Sequence, residues 1–217
     1  MPIPWAGSGL RVVVAVGSAA LNALLAVSAL VGGLLWVFKG GAILLGFGQP
    51  EHAFEVAPLL FALATLGLAR WVPRSPARRV GIVLAITSVL SSLVAALSAA
   101  VSGGVLGPDL GISVLTMTGA LVVLGVPLRH SGLAVGGLPF MLGVGTIPAV
   151  LVGGALSTID ERLLELPIVL IGLAWIAVGL ALARERDHPR RPRRLDGRQE
   201  AEDTVSGIGR VPALVRR

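Results

Sequence analysis

Six apolar runs dominate the chain, at residues 12–38, 54–72, 80–101, 110–128, 133–156 and 166–183. About 20 helical residues, rising 1.5 Å each, cross a hydrocarbon core about 30 Å thick. In hydrocarbon every backbone N–H and C=O must be bonded within the protein, so such runs form helices unless they close into a barrel. Barrel strands alternate apolar and polar residues, and none of these runs alternates. The expected fold is therefore all-α. A bundle of six transmembrane helices occupies residues 1–183, and an Arg-rich flexible tail occupies residues 184–217.

Composition supports a membrane class. Hydrophobic residues make up 54% of the chain and charged ones only 14%, whereas a soluble domain of this size spreads charge over its surface. The first run has features of a signal peptide, with Arg11 before it and Ala26-Val27-Ser28 as a cleavage-like site. Its apolar stretch continues to Trp36 and Phe38, however, well beyond a signal core, so it reads as a retained helix. The absence of cysteine excludes disulfides, thiolate catalysis and cysteine-ligated metals.

Charge placement sets an expected topology. With six crossings, one side holds Arg11, Arg70, Arg74, Arg78, Arg79, Arg129 and the tail, which is sixteen of the eighteen basic residues. Only Lys39 and Arg162 fall opposite, together with Glu51, Glu55, Asp109, Asp160, Glu161 and Glu165. Basic loops stay cytoplasmic, so both termini are expected inside, in a plasma (inner) membrane. The net charge of +6 is thus a topology signal; with no Tyr at all, stacking aromatics are scarce and nucleic acid is not an expected partner. The tail cluster Arg190, Arg191, Arg193 and Arg194 is expected to meet anionic lipid headgroups at about 1 kcal/mol per residue.

The fifth run is the least regular, with two prolines and six glycines in 24 residues. Pro139 and Pro148 predict a kink, and broken helices line substrate cavities in some transporters. Asn22, Pro139, Gly143, Gly145, Thr146 and Pro148 are accordingly the candidate ligand-pathway residues. Small residues also recur at three- and four-residue steps. Ala15, Ala19, Asn22, Ala26, Ala29 and Gly33 mark the first helix, and Gly81, Ala85, Ser88, Ser92, Ala95, Ala99 and Ser102 the third. Gly145, Ala149 and Gly153 give the fifth a similar line. Such stripes let helix backbones approach where lipid supplies no hydrophobic drive. Ser88, Ser92, Thr116 and Thr118 can instead bond carbonyls of their own helices.

No ionisable group is expected at membrane depth, which disfavours proton coupling and voltage sensing. The outer carboxylates Glu51, Glu55, Asp160, Glu161 and Glu165 have no metal-ligand spacing, and neither a metal nor a cofactor motif is present. Function reads as a small permease, or permease subunit, for a neutral or apolar ligand. The alternative is a non-catalytic subunit that scaffolds or regulates a partner membrane protein or a second copy. An enzyme acting on lipid through the outer carboxylates comes last.

Overall fold

The computed structural model of the chain describes residues 8–48, 53–102 and 107–187. Among these residues every regular element is a helix. The order is α1 (Ser8–Leu44), α2 (Ala53–Leu68), α3 (Pro76–Ser102), α4 (Gly107–Leu128), α5 (Leu138–Leu156) and α6 (Glu165–Asp187). Short 3-10 turns at Ala69–Trp71 and Glu161–Leu164 follow α2 and precede α6. Five helices are long and apolar enough to cross a membrane, marking a multi-pass membrane protein. The other, α2, has 16 residues, about 24 Å of α-helix. The 3-10 turn after it adds about 6 Å.

Packing inverts the pattern of a soluble protein. Leu24, Phe38, Val83, Leu97, Leu115, Met141, Leu151 and Leu170 are exposed, while Ala29, Ala57, Ala62, Ala64, Ala85 and Ala120 are buried. Large apolar side chains facing outward suit lipid, and small ones facing inward let helices approach. Each helix packs on the next, α6 returns to α1, and α2 also touches α4. The ring is closed.

Several helix ends differ from the run boundaries for identifiable reasons. The first helix continues past Phe38 to Leu44, so Lys39, Gly40 and Gly41 are helical. It ends at Gly46, whose φ of 83° permits the left-handed turn. There the Gly46 N–H donates to the Ile43 carbonyl (3.0 Å) and the Phe47 N–H to the Ala42 carbonyl (2.9 Å). The fifth helix starts at Leu138, not at residue 133, and Pro139 sits in its first turn. A missing N–H costs nothing there, so Pro139 begins the helix instead of kinking it. Only Pro148 is interior. Ser75 caps α3 by accepting from the Arg78 N–H at 3.2 Å, with Pro76 as the first helical residue. The sixth helix extends to Asp187. Arg190, Arg191, Arg193 and Arg194 lie outside the described residues.

Candidate functional site

The tightest interface joins α1 to α6. A Cβ placed on Gly33 would lie 2.6 Å from the Gly172 carbonyl oxygen, and one on Gly172 would lie 2.8 Å from the Gly33 carbonyl oxygen. Gly40 meets Val169 in the same way, and Gly179 meets Leu30 and the Ala26 carbonyl. Two seven-residue ladders therefore face each other: Ala26, Gly33 and Gly40 against Gly179, Gly172 and Glu165. A heptad period keeps one stripe on a neighbouring helix along its length. At Gly33, Gly172 and Gly179 backbone atoms of the opposite helix leave no room for a Cβ, and at Gly40 the Val169 side chain fills the space.

An ion pair closes one end of this seam. The Lys39 ammonium donates to Glu165 Oε1 at 2.8 Å and to Oε2 at 3.0 Å. Both side chains are buried, at 4% and 8% exposure, so neither charge is solvated by water. Glu165 is the first residue of α6, where unpaired N–H groups also favour a carboxylate. Run-by-run reading placed both residues outside the membrane core; α1's extra turns bring Lys39 inward. The spacing of Ala26, Gly33, Gly40 and of Glu165, Gly172, Gly179 is the signal that could have found it.

The bundle's interior is filled by aromatic rings. Phe61 of α2 stacks on Trp175 of α6 with centroids 4.6 Å apart and planes 8° from parallel. Trp36 of α1 meets Phe61 edge-on at 5.1 Å and 88°. Leu121, Leu124 and Met117 of α4 belong to the same buried cluster. The indole N–H groups of Trp36 and Trp175, Oγ1 of Thr118 and Oδ1 of Asn22 have no hydrogen-bond partner among the described residues.

Candidate pathway residues fall on different faces. Pro139, Gly143 and Thr146 are buried, and a Cβ on Gly143 would touch Val122 and Leu121 of α4. Thr146 donates to the Leu142 carbonyl of its own helix at 2.7 Å. Gly145 and Pro148 are exposed on the other side, and nothing lies within 4 Å of a Cβ on Gly145. Asn22, on α1, is half-buried. Since α5 packs on α4 and α6, these six residues do not line one space.

The third-helix stripe faces α4. Gly81 sits against Leu124, and Ala85, Ser88, Ser92, Ala95 and Ala99 are buried. Ser88 and Ser92 bond across the interface instead of within their own helix. Ser88 Oγ donates to the Ser113 carbonyl at 2.9 Å and lies 3.2 Å from Ser113 Oγ, which is 2.5 Å from Ser92 Oγ. Thr116 does bond within its helix, to the Ile112 carbonyl at 2.7 Å. On the first helix Ala26, Ala29 and Gly33 are buried. Ala15 and Ala19 lie in α1, but their side chains are outside what is described. Gly153 packs on Pro167 and Leu164, so the fifth helix's line divides between its two faces.

The outer carboxylates are separately engaged. Glu165 pairs with Lys39, Asp160 accepts the Arg162 N–H at 2.9 Å to start its 3-10 turn, and Glu161 is exposed. Glu51 and the side chain of Glu55 are outside the described residues. Among those described, no cluster of three acidic or histidine side chains could hold a metal.

A cavity of about 360 Å³ opens laterally between α1, α2 and α3. Leu21, Leu24, Leu25, Leu63, Leu66 and Ile82 give it apolar walls, and its polar residues are Ser28, Arg70 and Arg78. Arg70 lies in the 3-10 turn after α2 and Arg78 in the first turn of α3, at the arginine-rich end of the bundle. Arg78 Nε donates to the Ala69 carbonyl at 2.9 Å, and the Arg70 guanidinium lies 5.2 Å from the Trp71 ring centre. Sequence reading assigned these arginines to topology alone. No protein-family model, curated protein or solved structure matches the chain.

Proposed function

We propose that the chain is a non-catalytic membrane subunit that holds or regulates a partner membrane protein or a second copy. The observation that carries this reading is the filled interior. Trp36 packs edge-on and Trp175 face-on against Phe61, closing the buried space among α1, α2 and α6. The outer face of α5 supports it further. Gly145 has open space beside it, and Gly145, Pro148, Val152 and Ala155 lie exposed along that side. Small exposed residues let another helix approach closely. Six crossings with both termini in the cytoplasm of a plasma-membrane protein fit the bias of sixteen basic residues to one side. Mass measurement after extraction from native membranes in mild detergent tests this. The expected result is an assembly heavier than one chain that G145W and A155W disrupt. A monomer indifferent to both variants contradicts it.

The second reading is a permease for a neutral or apolar ligand, and the lateral cavity at α1–α3 favours it. Ligand flux in vesicles that is lost on filling this cavity with L66W would favour transport over scaffolding.

A further inference from the structure

We propose that the cavity between α1, α2 and α3 is a specific site for one anionic phospholipid of the surrounding bilayer. Its phosphate sits at Arg70 and Arg78, and one acyl chain lies along Leu24, Leu25, Leu63 and Leu66. This site does not rest on the scaffold reading, and lipid retention is measured apart from any flux.

Three observations converge on that chemistry. The cavity opens sideways from a bundle whose outer surface is apolar, so its entrance faces acyl chains and not water. Its walls are leucine and isoleucine, while both charged lining residues are cationic and close to one another at one end. From Arg70 back to Leu63 beside α2, and from Leu21 on to Ser28 on α1, the lining runs seven residues, about 10 Å. A molecule that fits must therefore carry an anionic group at one end and about 10 Å of apolar body below it.

The arginines are built for the head position. Arg78 is in the first turn of α3, and its Nε–H bond to the Ala69 carbonyl anchors the guanidinium to the end of α2. That bond uses one of five N–H donors, and the planar fork suits phosphate oxygens. Arg70 is steadied over Trp71, an aromatic of the kind that settles at headgroup depth. Arg70 and Arg78 are half-buried, whereas Arg74 and Arg79 in the same turn are exposed and do not line the cavity. That contrast separates a built site from diffuse surface charge.

The test is native mass spectrometry of the full chain, released from detergent after incubation with phosphatidylglycerol or with phosphatidylcholine of the same acyl chains. The expected result is one retained phosphatidylglycerol per chain, preferred about tenfold over phosphatidylcholine, whose phosphate is the same but whose quaternary ammonium would stand beside two guanidinium groups. R70Q/R78Q should abolish the preference, and R74Q/R79Q should leave it within about twofold. Should R70Q/R78Q fail to fold, L66W keeps both arginines but blocks the chain groove, and it too should lose the lipid. Inorganic phosphate at millimolar concentration should not displace the lipid. Equal retention of the two lipids, equal loss in R74Q/R79Q, or displacement by phosphate alone each overturns the proposal.

Discussion

Replacing one member of the Lys39–Glu165 pair strands the other charge in a space where 4% and 8% of the side chains are exposed. At an effective dielectric constant of ~20, unit charges ~4 Å apart attract by about 4 kcal/mol. Taking each ion out of water costs several kcal/mol, so the intact pair is nearly neutral relative to a packed apolar replacement. Truncating one partner leaves the desolvation unanswered and costs about 3–5 kcal/mol. K39M and E165L should therefore each destabilise by about that much, and K39M/E165L should return to within about 1–2 kcal/mol of the parent. A double-mutant cycle on detergent-driven unfolding, read by tryptophan fluorescence, measures it; Trp36 and Trp175 report from the core. Single variants within about 0.5 kcal/mol of the parent, the size of a surface change, would show that water reaches the pair. Additive losses in the double variant would show that the two charges do not act together.

Other outcomes follow from the same packing. G33A should destabilise by about 1–3 kcal/mol, because backbone atoms of α6 stand 2.6 Å and 2.9 Å from the added Cβ. G145A, with nothing within 4 Å, should be neutral or stabilising by up to about 1 kcal/mol through helix propensity. S92C/S113C should form an α3–α4 disulfide on mild oxidation, since the two hydroxyl oxygens are 2.5 Å apart and the chain has no cysteine of its own. A reporter fused after Phe47 should be external and one after Ser75 cytoplasmic; the reverse would overturn the proposed topology.

Class and helix placement were legible because hydrocarbon imposes one rule on every backbone group, and apolar runs record it directly. Local chemistry at helix ends was less so. Gly40 and Gly41 look like breakers, yet both are helical, and Gly40 packs against Val169 and Glu165 of α6. Pro139 looks like a kink until it is seen to open α5, a distinction that turns on where the preceding turn ends. The α3 stripe from Gly81 to Ala99 is visible in the sequence, but its partner Ser113 is a single residue with no periodicity of its own. The Lys39–Glu165 pair spans 126 residues, and no short-range pattern joins its ends. The lateral cavity is a void between three helices. Its arginines double as topology signals, which hid their second setting.

The account rests on a packed, dry bundle interior, and substituted-cysteine labelling tests that directly. Ala64 and Ala120 are fully buried, and the chain contains no cysteine to react in the background. A64C and A120C, each in an otherwise unchanged chain in membrane vesicles, should resist a water-soluble maleimide applied from either side. A cysteine at exposed Gly48 should label readily and serves as the reference. Labelling of A64C or A120C at a comparable rate would mean water threads the bundle, and the scaffold reading would give way to transport.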